Sequence, residues 1–185
     1  MRKLDARDEL VEHLPAMRAF AISLTRNAAV ADDMVQDTLV KAWTNIDKFD
    51  NGSNMRAWLF TILRNTYYSS RRKSKREVAD IDGVLSDNLA EKPAHDGHIQ
   101  MNEFRAALAQ LSDEQREALL LVGASGFSYE EAAEMCGVAL GTIKSRTNRA
   151  RAQLAVILGI NEDEPMEITD DATMSVISAS KVASF

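Results

Sequence analysis

Apolar side chains recur at helical spacing over most of this chain, and no segment shows the alternation of a half-buried strand. Leu10, Leu14, Met17, Ala21 and Leu24 define the buried stripe of a first helical stretch. Asn27 to Ala31 interrupts it, and a second helix is predicted from Ala31 to Asp47 with Val35, Leu39, Ala42 and Ile46 facing inward. Asp50-Asn51-Gly52-Ser53-Asn54 is a run of turn-forming residues. A third helix is predicted from Met55 into Arg71-Arg72-Lys73, burying Met55, Trp58, Leu59, Ile62 and Thr66.

Periodicity lapses from Val78 to Gly97, a stretch carrying Gly83, Pro93 and scattered acids. It then resumes in a helix predicted over Ile99–Gln110, burying Phe104, Ala107, Leu108 and Leu111. Ser112-Asp113-Glu114-Gln115 and Ser128-Tyr129-Glu130-Glu131 both fit the capping box, in which a serine and the residue three later satisfy each other's free amides. They open helices predicted over Asp113–Ala124 and Tyr129–Cys136, and after Gly137 a last helix is predicted over Leu140–Leu158. The expected architecture is all-α: two small helical domains, 8–76 and 99–159, joined by a flexible acidic linker, 77–98. The acidic and then Ser/Ala-rich tail, 160–185, is expected to be disordered unless a partner orders it.

No stretch approaches the roughly 18 uninterrupted apolar residues of a membrane span, and the start lacks an apolar signal core. A lone cysteine, Cys136, cannot form an internal disulfide. These features point to a cytoplasmic protein without a membrane partner.

The net charge of −6 is unpromising for a nucleic-acid binder, but its distribution changes the picture. Arg56, Arg64, Arg71, Arg72, Lys73, Lys75 and Arg76 form one island with no acid among them. Lys144, Arg146, Arg149 and Arg151 form a second.

The second island lies on a helix-turn-helix pattern. Ala132 and Ala133 permit close helix crossing, Gly137 permits the turn, and Val138 and Ile143 plug the junction. At 100° per residue, Ile143, Thr147, Ala150 and Leu154 fall within about 60° of one another and form the buried face. Lys144, Ser145, Asn148 and Arg149 are candidate base readers, because such side chains pair with base edges in a major groove. Thr142, Arg146 and Arg151 are candidate phosphate contacts.

Along the third helix, Phe60, Arg64, Tyr67, Tyr68, Arg71 and Arg72 mix rings with cations, a pattern suited to stacking on unpaired bases while following a backbone. Packing of Phe60 and Tyr67 on a neighbouring helix is the open alternative. The Asp50–Asn54 loop is a candidate receiver for an everted base. On the second helix, Asp33, Gln36, Asp37, Val40, Lys41 and Thr44 face outward, placing an apolar residue among acids.

Three stretches resemble extracytoplasmic-function (ECF) sigma factors. Ala31-Asp-Asp-Met-Val-Gln-Asp-Thr-Leu-Val-Lys-Ala-Trp43 is similar to their polymerase-clamp-binding helix. Asn54-Met-Arg-Ala-Trp-Leu-Phe-Thr-Ile-Leu-Arg-Asn-Thr-Tyr-Tyr68 resembles their −10-reading segment, and Gly141-Thr-Ile-Lys-Ser-Arg-Thr-Asn-Arg-Ala-Arg151 resembles their −35-reading helix. The Met-Arg-Ala-Trp and Ala-Ser-Gly-Phe-Ser-Tyr-Glu-Glu-Ala-Ala phrases resemble the general-stress-response (EcfG-type) subgroup of alphaproteobacteria. That subgroup is held inactive by a small anti-sigma protein, which a phosphorylated sigma-mimicking response regulator removes.

The resemblance implies that Asp33, Gln36, Asp37, Val40 and Lys41 contact the clamp helices of core RNA polymerase. It implies that Asp50, Asn51, Gly52, Ser53 and Asn54 capture a flipped −10 base, with Arg64, Asn65, Tyr68, Arg71 and Arg72 alongside. Thr142, Lys144, Ser145, Arg146, Asn148, Arg149 and Arg151 would engage the −35 element of promoter DNA. The implied role is promoter-specific transcription initiation, with a small anti-sigma factor as further partner. No cofactor, metal or enzymatic chemistry is expected, and His95, Asp96 and His98 lie in the linker with no cysteine pair nearby. The alternatives are a sigma mimic that sequesters an anti-sigma factor and a dimeric helix-turn-helix repressor.

Overall fold

The computed structural model describes residues 6–50, 52–80 and 97–160. The expectations for Asn51, for residues 81–96 of the linker, His95 and Asp96 among them, and for the tail from 161 lie outside the described residues, while 77–80 and 97–98, expected in the linker, are helical. Among the described residues every regular element is helical, and the chain divides into two units, Met1–Lys92 and Pro93–Phe185.

In the first unit the predicted opening stretch is two helices, α1 (Ala6–Glu12) and α2 (Leu14–Thr25), because Pro15 lies in the first turn of α2, where a missing amide costs no hydrogen bond. The second helix, α3 (Ala28–Thr44), starts and stops earlier than its apolar pattern indicates. Asn27 decides the start: its side-chain oxygen accepts from the Val30 amide at 3.1 Å. A 3-10 turn, Ile46–Lys48, follows, and Ile46 is half-buried there instead of belonging to the α3 seam.

The third helix, α4 (Met55–Asp80), packs against both α2 and α3. Its buried face carries Met55, Leu59, Phe60, Leu63, Thr66 and Tyr67, an arc of about 140° at 100° per residue. Trp58 and Ile62, expected at the centre of the stripe, are half-buried at its margin. Phe60 is fully buried, its ring 5.1 Å from that of Phe20. Tyr67 is also buried, its hydroxyl 3.5 Å from the Leu24 carbonyl. A helix flanked on two sides buries a wider face than one packed on a single neighbour, and this draws in both rings.

His13 joins α1 to α2, and its Nε2 is buried with no hydrogen-bond partner. Burial is the main cause of a pKa below the usual 6.5; Arg56 lowers it further, while Glu9 and Glu12 act in the opposite sense. The folded chain therefore binds fewer protons at this site than the unfolded chain, so the contribution of His13 is full above about pH 6.5 and falls away as the pH drops below it. Urea unfolding at pH 7.5 and 5.5, followed by tryptophan fluorescence, is expected to show a smaller loss for His13→Gln than for the parent. Equal losses would remove His13 as a source of the pH dependence.

The second unit holds α5 (Gly97–Ala109), α6 (Asp113–Leu119), a π turn (Leu120–Ala124), α7 (Tyr129–Cys136) and α8 (Leu140–Leu158). Both capping boxes form: the Gln115 and Glu131 amides donate to Ser112 and Ser128 Oγ at 3.2 and 3.1 Å, and the serine amides donate back. The sixth helix, predicted as regular to Ala124, widens into the π turn for its last five residues. Ala107, Leu108, Leu111, Leu119, Ala150 and Leu154 make a core shared by α5, α6 and α8.

Arg116, buried to 3% exposure, holds the end of α5 in place. It donates to the carbonyls of Leu108, Ala109 and Leu111 at 2.8, 3.2 and 2.9 Å; of these the Leu108 carbonyl also accepts from the Leu111 amide at 3.2 Å, so Arg116 adds donors where the helix terminus runs short of them. Asp113 balances its charge at 3.3 Å.

Candidate nucleic-acid and polymerase interfaces

On α8, burial of Ile143, Thr147, Ala150 and Leu154 fixes which side chains turn outward. Lys144, Asn148 and Arg149 are exposed, while Thr142, Ser145, Arg146 and Arg151 are half-buried around them. Ser145 Oγ donates to the Thr142 carbonyl at 3.1 Å, leaving its lone pairs available to a donor. Gly137 adopts φ of 64°, closing α7 and setting the turn into α8. Where α6 and α7 carry capping boxes, Ala139 gives α8 no side-chain cap; the Thr142 amide donates to the Ala139 carbonyl at 2.9 Å, which leaves the Leu140 and Gly141 amides to face an anion.

Ahead of α4 the Asp50 to Asn54 loop is braced by its own polar groups. The Gly52 amide donates to Asp50 Oδ1 at 3.1 Å, the Ser53 amide and hydroxyl both reach the Asp50 carbonyl at 2.8 Å, and Asn54 Oδ1 caps α4 by accepting from the Ala57 amide at 3.2 Å. Phe49 packs beneath the loop, its ring 5.2 Å from that of Trp58.

Beside this loop lies a groove of about 380 Å³ lined by Lys41, Asn45, Lys48, Trp58, Ile62, Asn65, Thr66 and Ser69. Of these, Asn65 was expected near the −10 strand and Lys41 on the polymerase face. Lys41 Nζ instead donates to Thr66 Oγ1 at 2.9 Å, turning its charge toward α4. Asn45, Lys48, Trp58 and Ser69 are not expected there from the sequence, since packing of the end of α3 on α4 is what brings them together.

The ring-and-arginine pattern needs correction. Phe60 and Tyr67 are core residues and cannot stack on a base. The rings of α4 instead hold its own cations: the guanidinium of Arg56 lies 5.4 Å from the Phe60 ring, Arg64 4.8 Å from Tyr68, and Arg71 5.8 Å from Tyr67. Tyr68, half-buried, keeps part of its surface open, and Arg71 and Arg72 are exposed.

On α3, Asp33, Gln36 and Asp37 are exposed beside Val40, which is 66% exposed. Trp43, one turn further on, is 54% exposed and extends the apolar part of this face.

Residues 10–77 match the family model for Sigma-70 region 2, and residues 101–154 match that for Sigma-70, region 4. The chain is 54% identical over 171 residues to the ECF RNA polymerase sigma factor EcfG of Rhodopseudomonas palustris (strain TIE-1), covering 92% of this chain and 94% of that one. This chain belongs to the ECF sigma factors.

A more distant relative of this sigma factor is ECF RNA polymerase sigma factor SigM of Bacillus subtilis (strain 168), 32% identical over 78% of this chain and 90% of its own. Among solved structures, the sigma factor RpoE in complex with the anti-sigma factor NepR from Bartonella quintana matches with a TM-score of 0.77. It is 55% identical, covering 83% of this chain and 96% of that one. Membership of a family of promoter-specific initiation factors favours the sigma-factor reading over a mimic or a repressor. Among the described residues no helix is long and apolar enough to cross a membrane.

Proposed function

We propose that this sigma factor grips a promoter at two places, through residues 8–76 and 99–159, while α3 anchors it to core RNA polymerase. The observation that carries the reading is the outer face of α8: Lys144, Asn148 and Arg149 exposed together opposite a fully buried seam, with no acid on the helix. Such a face enters a major groove and meets both base edges and phosphates. The side chains of Thr142, Arg146 and Arg151 and the Leu140 and Gly141 amides at the start of α8 suit phosphates, and Ser145 suits a base edge or a bridging water.

In the first unit, the braced Asp50 to Asn54 loop and the groove beside it suit an unstacked −10 base. Lys48 and Asn65 offer hydrogen bonds, and Arg64, Tyr68, Arg71 and Arg72 follow the strand. Capture of unpaired bases returns part of the unstacking cost, a few kcal/mol per flipped base, which favours melting without covalent chemistry. No catalytic role is assigned to any residue.

Exposed Val40 and Trp43 beside Asp33, Gln36 and Asp37 suit a helical partner with basic and apolar side chains, which we assign to the polymerase clamp. Asp37→Arg is expected to weaken core polymerase binding by about tenfold or more in a pull-down, since it places a like charge against the basic side of the partner. Retained affinity would remove α3 from the interface.

The resemblance to EcfG and to the NepR-bound RpoE supports a general-stress-response role in the cytoplasm under a small anti-sigma factor. Run-off transcription with core polymerase on a genomic promoter library tests the whole reading. Start sites sharing a −35 and −10 motif are expected, and failure to confer any start-site selection would overturn it.

A further inference from the structure

The cations of α8 are not equally constrained. Arg149 is exposed and makes no hydrogen bond or ion pair among the described residues. Lys144 is exposed too, yet its Nζ lies 5.8 Å from the centroid of the Tyr129 ring. That distance is within cation–π range. It is the one partner of Lys144 among the described residues.

Tyr129 is well placed to act as a fixed support. It is the first residue of α7, whose start is locked by the Ser128 and Glu131 capping box, and it is half-buried. Among the acids of α7, Glu131 has Oε2 committed to the Ser128 amide at 2.9 Å. Glu130 and Glu134 are exposed and form no described ion pair with Lys144.

An aromatic ring does something here that a carboxylate cannot. A carboxylate would neutralise the lysine and have to be displaced before the ammonium met DNA. The ring attracts the cation through its quadrupole, leaves the full positive charge, and leaves the ammonium donors free on the outward side. A lysine side chain otherwise loses its rotamer freedom on being fixed at the DNA, so holding it beforehand reduces the cost of binding.

We propose that Tyr129, on the helix before the recognition helix, is a positioning residue for Lys144 and thereby sets its base preference in the −35 element. The proposal deepens the reading of α8 as the groove helix and rests on it.

The test uses holoenzyme assembled from the full chain and core polymerase, selecting from promoter duplexes randomised across the −35 region. The parent is compared with Tyr129→Leu, Tyr129→Phe, Lys144→Ala and the Tyr129→Leu/Lys144→Ala double variant. Tyr129→Leu is expected to lower affinity for the parent's selected sequences about three- to tenfold. It should also flatten base preference at the same position that Lys144→Ala flattens. Tyr129→Phe, which keeps the ring, should retain that preference, and the double variant should bind no worse than Lys144→Ala alone.

A full additional loss in the double variant, or a loss spread evenly over all positions, would overturn the positioning role while leaving the groove helix intact. If Lys144→Ala leaves every base preference unchanged, the assignment of Lys144 as a base reader falls, and the proposal with it. Partial unfolding of a variant lowers binding to all sequences equally, so position-specific flattening decides the matter even if Tyr129→Leu is less stable.

Discussion

Arg149→Ala is expected to reduce promoter-selective transcription by about ten- to a hundredfold while binding to core polymerase persists. A base or phosphate contact of an exposed arginine in a major groove contributes roughly 1–3 kcal/mol of discrimination, and each 1.4 kcal/mol is a factor of ten. Arg149 is exposed and carries no competing partner among the described residues, so it can be removed without leaving a buried group unsatisfied. The folded second unit should therefore survive, and the loss should appear in DNA recognition alone. The measurement is run-off transcription from a selected promoter, paired with a pull-down of core polymerase by the same variant. Parallel losses in both assays would count against the assignment of α8.

A second substitution separates the two readings of the α4 rings. Phe60→Ala is expected to destabilise the first unit by about 3–5 kcal/mol, the usual cost of deleting a buried aromatic ring. A domain of about 70 residues has roughly 4–10 kcal/mol in total, so much of this unit would be unfolded at physiological temperature. Phe60 is fully buried with its ring against that of Phe20, on a helix face that also buries Leu59 and Leu63. The two tryptophans of the chain, Trp43 and Trp58, both lie in this unit, so their fluorescence reports its unfolding without interference from the second. A variant that kept the parent's urea midpoint yet lost only −10 recognition would return Phe60 to the DNA face. By the same measurement Tyr68→Ala, which removes a half-buried ring stacked by Arg64, should disturb stability far less.

The contrast between Phe60 and Arg149 shows where periodicity is informative and where it is not. On α8 the acid-free run and the Ile143, Thr147, Ala150, Leu154 seam determine the outward face, because the helix buries one narrow stripe. On α4 the same reasoning centres the stripe on Trp58 and Ile62, but α2 and α3 press on the helix from two directions and pull Phe60, Leu63 and Tyr67 inside. Local helical period is a property of the chain; the width of a buried arc is a property of its neighbours. Charge carried more weight than aromaticity for a related reason. Arginines rarely go inside without partners, whereas a phenylalanine or tyrosine fits a core and a binding face equally well.

Arg116 is the exception that tests this rule. It is buried, and nothing in its sequence neighbourhood marks it as different from the exposed cations, because its partners are backbone carbonyls at the end of α5 that exist only once the helix stops there. Lys41 is similar: an exposed position on α3 by period, it turns to Thr66 on α4 when the two helices pack.

By itself, then, the amino-acid sequence determined the helical class, the starts of α6 and α7 through their capping boxes, the glycine turn into α8, and the two basic islands. Each of these is a local property, set by residues within one or two turns of each other. Tertiary structure alone decided which rings are core, which polar side chains share the groove beside the loop, and that Tyr129 meets Lys144. Those outcomes depend on how helices cross, and a crossing is set by packing between segments far apart in the chain.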